Sequence, residues 1–92
     1  MALGGQGVIS VLSNVLPAEM RLLTEYAKEN KYEQGALLHQ TLLPLMNLMF
    51  CDVNPIPVKA AMKLIGFDCG DCRLPLTELP ESKLTELQTY FA

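Results

Sequence analysis

One run in the sequence reads as a β-strand, Val8-Ile9-Ser10-Val11, and no second run does. It is rich in β-branched residues, bounded by glycine before it and by Ser13-Asn14 after it, and it can extend to Leu12. It lacks the apolar–polar alternation of a half-exposed strand, so it suits burial on both faces, as in a parallel sheet. A single strand cannot make a sheet. Everything after it reads as helix.

The remaining sequence obliges. Pro17-Ala18-Glu19 is a helix start, with proline in the first turn and an acid against the positive end of the dipole. Met20, Leu23, Tyr26 and Ala27 follow at helical spacing to about Glu29. Asn30-Lys31-Tyr32-Glu33 has the form of a capping box and is expected to open a second helix. That helix carries an apolar stripe from Ala36 to Met49, too wide for one face, and needs cover on more than one side. Pro44 lies inside it and should kink it. Asn54-Pro55 reads as a cap and first-turn proline for a third helix, which ends near Ile65 and is stopped by Gly66. A loop from Phe67 to Leu79 leads to Pro80-Glu81-Ser82, the start of a last helix with Leu84, Leu87 and Phe91 on one face.

Composition narrows what such a chain can do. Half of its 92 residues are hydrophobic, although a domain of this length buries only somewhat more than ~60% of its unfolded surface. A chain so short and so apolar is expected to associate with something. The net charge of −3 comes with no basic run, which argues against nucleic acid as a partner. No apolar stretch approaches a membrane span, and no cationic stretch precedes an apolar one as in a signal peptide. Three cysteines, an odd number, suit a reducing cytoplasm better than a disulfide framework.

Three features invite a chemical reading. The opening Leu3-Gly4-Gly5-Gln6-Gly7 has the glycine density of a phosphate loop. A phosphate site, however, needs strand, then glycines, then a helix N-terminus, and here the strand follows the glycines. A tight turn leading into the strand is the better reading. Cys69-Gly70-Asp71-Cys72 is a CxxC pair of the kind that ligates zinc or exchanges disulfides. Zinc would need two more ligands, and only Cys51 and His39 remain, at unhelpful spacing; a redox site would sit at a helix start beside a βαβ unit. The pair is read as two incidental loop cysteines. His39, the single histidine, has no acid or nucleophile placed beside it by the sequence and reads as a surface or interface residue. Lys59, near a helix N-terminus, either reaches a carboxylate or is simply solvated, and Met46, Met49 and Met62 are core fillers first. No catalytic residue, metal or cofactor is assigned from these residues.

Four blocks in order, GGQGVISVLSNVLP, LLPL, NPIPVKAAMKLIG and LRLPL, resemble the C-terminal third of the 4-hydroxy-tetrahydrodipicolinate synthases (dihydrodipicolinate synthases). The likeness runs from about Leu3 to Phe91, and the Val-Ile-Ser-Val and Asn-Pro-Ile-Pro-Val-Lys blocks favour these synthases over N-acetylneuraminate lyases within the pyruvate-dependent aldolase superfamily. The resemblance implies a (β/α)8 barrel followed by a helical appendage. On it, residues 1–29 are the final strand and helix of the barrel, with Val8–Val11 as strand eight, and residues 30–92 are the C-terminal helical region. The fold class expected is thus a mainly α-helical chain.

The family condenses pyruvate with aspartate semialdehyde in lysine biosynthesis, by the diaminopimelate pathway, through a Schiff base on a lysine. The resemblance places that lysine and its proton-relay partners in earlier strands, so this chain is expected to be inactive alone. One position carries over, Ile9, as the strand-eight residue whose main-chain carbonyl faces the pyruvate site. It is the single substrate-binding residue expected, and its side chain carries no specificity. A cytoplasmic homo-oligomer without cofactor is implied. The competing reading is a non-enzymatic helical module that self-associates, and a CxxC metal or redox domain stands behind both.

Overall fold

Each helix begins or ends where local chemistry says it should, with two exceptions that are informative. The computed structural model describes residues 1–91, and among them there are four helices: α1 (Pro17–Lys28), α2 (Tyr32–Leu48), α3 (Ile56–Leu64) and α4 (Glu81–Phe91), preceded by a single 3-10 turn over Leu12–Asn14. α1 opens on Pro17 with Glu19 in its first turn and carries Lys28 in its last, so both ends suit the dipole. α3 stops at Gly66, whose φ of 99° is open only to a residue without a side chain. There Phe67 N–H donates to the Met62 carbonyl (2.9 Å) and Gly66 N–H to that of Lys63 (3.1 Å), a Schellman closure.

The first exception is Asn30. It does not cap α2; it ends α1. Asn30 adopts φ 59°, Lys31 N–H returns to the Tyr26 carbonyl (2.8 Å), and Asn30 N–H to that of Ala27 (3.3 Å). This is the same Schellman closure, with asparagine in the glycine position. The N-cap of α2 is Lys31, which has no side-chain cap, so the expected capping box is not formed. Asn54 likewise gives up its expected place: the N-cap of α3 is Pro55, again without a side-chain bond. α2 runs on through Pro44 as one helix, and its buried faces against the neighbouring helices supply what the missing backbone donor does not.

The second exception is the strand. Among the described residues there is no β-strand, and residues 5–10 have no regular secondary structure. The reason is geometric. A strand is held by its neighbours' N–H and C=O groups, and no other segment here offers them. Instead of lying buried on both faces, Val8 is 55% exposed and the Ile9 side chain is fully exposed. The segment is nevertheless moored at its far end. Ser13 Oγ donates to the Ser10 carbonyl (2.6 Å), Ser13 N–H donates to Ser10 Oγ (3.2 Å), and Leu12 and Val15 sink into the core.

That core joins the 3-10 turn to all four helices: Leu12 and Val15, Met20 of α1, Leu42, Leu45 and Leu48 of α2 with Met49, Val58 and Ala61 of α3, and Leu87 of α4. Met49, Ala61 and Leu87 are wholly buried, and among the described residues no polar or charged side chain is. α1 packs on α2 and on the 3-10 turn; α4 packs across α2 and α3. Yet the molecule is drawn out, 42 × 25 × 20 Å with a radius of gyration of 14.5 Å, where a compact chain of this length has about 12 Å. Its accessible surface is 6484 Å², roughly 1,200 Å² more than a folded monomer of 10.2 kDa exposes.

Candidate functional site

The exposed segment and the helices behind it enclose a cleft. Residues 8–12 form one wall of this cleft of about 910 Å³, whose other walls come from α1, α2, α3 and the start of the loop after α3. Its surface is mainly apolar: Met46 and Phe50 from the end of α2, Val58 and Met62 from one face of α3, and Phe67 beyond the α3 stop. Phe50 and Phe67 are more than half exposed, although each is a large aromatic. Ile9 stands at this cleft, as do Ser10, Asn54, His39 and Lys59.

Lys59 does not reach a carboxylate. Its Nζ donates to the main-chain carbonyl of Asp71, 3.2 Å away, and so ties the loop carrying the two cysteines back to α3. Gly70 completes the bend at φ 83°, with its N–H donating to Asp68 Oδ1 (3.0 Å). The charge on Lys59 is thus used on the chain itself. Among the described residues no carboxylate lines the cleft, and neither His39 nor Lys59 hydrogen-bonds to another titratable side chain. A nucleophile with its base, or an acid with its base, is not assembled here.

Of the cysteines, Cys69 alone lines this cleft. Cys69 is exposed and Cys72 half-buried in the loop between α3 and α4, as read, and all three thiols are free. Cys51 sits at the far end of α2 in a different hollow, lined also by Lys83 and Glu86 of α4. Burial pushes its thiol above the ordinary value, against a smaller opposing pull from Lys83. Among the described residues, no three of the histidine, cysteine, aspartate and glutamate side chains are brought together as metal ligands. The glycine arm is placed just as poorly for a phosphate. It shares a hollow with Ala27, Lys28 and Asn30, at the C-terminal end of α1, where exposed carbonyls repel an anion.

The sequence had no way of marking Phe50 or Phe67. Both lie beyond the last turn of a helix, where apolar periodicity stops. The link from Lys59 to Asp71 spans twelve residues to a main-chain atom, which leaves no residue-type signature.

Comparison with known proteins covers the whole described chain. The model of the dihydrodipicolinate synthetase family matches residues 1–91. The 4-hydroxy-tetrahydrodipicolinate synthase of Methanococcus vannielii is 46% identical over 88 residues, which are 96% of this chain and 30% of that protein. The crystal structure of dihydrodipicolinate synthase from Thermotoga maritima superimposes with a TM-score of 0.91 at 42% identity, covering 96% of this chain and 30% of that one. A dihydrodipicolinate synthase variant described as monomeric gives the same TM-score at 43% identity, over 96% of this chain and 29% of that one. The chain spans about a third of the length of the relatives it matches. Among the described residues, no helix is long and apolar enough to cross a membrane.

Proposed function

Because the chain belongs to the dihydrodipicolinate synthetase family, we propose that it works as the C-terminal part of a 4-hydroxy-tetrahydrodipicolinate synthase, an enzyme of the cytoplasm that joins pyruvate to aspartate semialdehyde. In this reading residues 1–29 supply the last strand and helix of the barrel, and residues 30–92 brace it from outside. The observation that carries it is the likeness across nearly the entire chain, in sequence and in backbone at once.

The chemistry of that enzyme is carried by a lysine amine that attacks the keto carbon of pyruvate, the resulting iminium taking up electron density. Residues 1–92 contribute position rather than reactivity. With residues 8–11 in a barrel strand, the main-chain carbonyl of Ile9 accepts a hydrogen bond at the pyruvate site. A carbonyl can do this whatever its side chain, which agrees with a side chain that here makes no internal contact. None of the chain's own lysines is equipped for Schiff-base formation. That role asks for a desolvated amine, whereas Lys31 and Lys83 are exposed enough to make solvent-facing ion pairs and Lys59 is engaged with a carbonyl.

The isolated chain is therefore expected to be inactive. Reduction with borohydride in the presence of pyruvate should label none of Lys28, Lys31, Lys59, Lys63 and Lys83, as read by intact and peptide mass spectrometry. Stoichiometric labelling of any one of them would overturn the assignment.

A further inference from the structure

Cys69 and Cys72 flank Gly70-Asp71 in the loop between α3 and α4, both as free thiols. Cys69 is exposed and Cys72 half-buried, whereas Cys51 lines a different hollow against α4. Among the described residues, no backbone–backbone hydrogen bond involves residues 68–72. Two exposed bonds shape the stretch instead: Gly70 N–H donates to Asp68 Oδ1 (3.0 Å), and Lys59 Nζ donates to the Asp71 carbonyl (3.2 Å). Bonds so placed exchange readily with water, so the stretch is free to tighten. Gly70, at φ 83°, supplies the left-handed residue that a tight four-residue bend uses. Such a bend brings its first and last Cα atoms within about 7 Å, which is the reach of a disulfide.

We propose that Cys69 and Cys72 form a reversible dithiol–disulfide switch, set by exchange with a small-molecule disulfide of the glutathione class, whose oxidised state releases Lys59 from the Asp71 carbonyl. The proposal stands apart from the synthase reading. Exposed Cys69 is the attacking group: its thiolate displaces one thiolate from the small disulfide and forms a mixed disulfide. The Cys72 thiolate then attacks the Cys69 sulfur and expels the second. The two cysteines together lose two protons and two electrons, and the small disulfide takes them up as two thiols. The ring so closed includes the carbonyl carbon of Asp71. Closure therefore turns that carbonyl and breaks its bond from Lys59 Nζ. Lys59 lines the apolar cleft together with Ile9, and its freed ammonium becomes an unpaired charge there.

The test equilibrates the 92-residue chain with mixtures of oxidised and reduced glutathione, quenches it by alkylation and digests it with trypsin. Cleavage after Lys63 and Arg73 leaves both cysteines on one peptide and Cys51 on another. The peptide should pass from two alkylated thiols to a single species lighter than the dithiol by two hydrogens, and dithiothreitol should reverse this. Cys72→Ser should accumulate a glutathione adduct on Cys69 at least tenfold above the parent chain. Acylation of Lys59 by an N-hydroxysuccinimide ester, scaled to that of Lys28, should be several-fold faster in the oxidised chain. Cys69→Ser combined with Cys72→Ser should abolish that rise. The proposal falls if the peptide keeps both thiols, carries glutathione on each, or links two chains, or if Cys72→Ser gains no adduct. It falls equally if the internal disulfide forms while Lys59 is acylated at the reduced chain's rate, or if the double variant shows the same rise.

Discussion

Asn30 shows how one residue type serves two opposite structural ends. Asparagine is favoured both as an N-cap and in the left-handed position after a helix, and Glu33 three residues on completes the outward form of a capping box. The backbone decides between them: φ is 59°, and the Asn30 and Lys31 N–H groups close α1 rather than open α2. Tyr32 Oη donates to Asn30 Oδ1 (2.9 Å), a contact too exposed to add much. Replacement by alanine, which tolerates that region poorly, should cost about 1 kcal/mol, while Asn30→Gly should be neutral or slightly stabilising; urea unfolding followed by circular dichroism measures both. Cys51 makes a second residue-scale case. With its thiol pushed up by burial, it should be alkylated by iodoacetamide several-fold more slowly than exposed Cys69 at pH 8. The folded chain also holds that proton more tightly than the unfolded chain does, so stability should fall as pH rises through the ordinary thiol value of 9.0. A Cys51→Ser chain should lose that slope.

At the scale of elements, what the sequence made legible was whatever depends on near neighbours. Pro17 with Glu19 marked the start of α1, Gly66 the stop of α3, and the 84–87–91 spacing the inward face of α4. What it did not make legible depends on partners distant in the chain or outside it. The strand signal at Val8–Val11 is genuine as chemistry and yields no strand, because ladder bonds need a second strand. The cleft went unseen for a related reason: its walls come from the exposed segment, three helices and a loop, and its aromatics sit past the helix ends. α4 depends most on a single residue, since Leu87 is wholly buried at its contact with α2 and α3 while the rest of the helix is largely open. Leu87→Ala should cost about 2–5 kcal/mol, and hydrogen exchange should show protection lost across residues 81–91 before it is lost in α1. Equal loss in both helices would mean that α4 is a more integral part of the core than its packing indicates.

For the whole molecule, the decisive quantity is surface. A drawn-out body with roughly 1,200 Å² beyond the norm for its mass cannot hide its apolar side chains internally. Leu37 and Tyr32 of α2, with Phe50, Val8 and Ile9, are each more than half exposed. The solved relative described as monomeric matches this chain over only 29% of its own length, and the rest of that protein is available to cover the equivalent faces. In a solution of the 92-residue chain by itself, another copy is the only cover on offer. Burying about 400 Å² of apolar surface on each of two copies gains on the order of 20 kcal/mol for the dimer, which exceeds an association cost of about 4–15 kcal/mol. The chain alone should therefore form symmetric dimers or larger species at micromolar concentration, as measured by sedimentation equilibrium. A compact monomer with a cooperative melt would mean that the helical core carries its exposed apolar surface unaided, and that the excess area is not an interface.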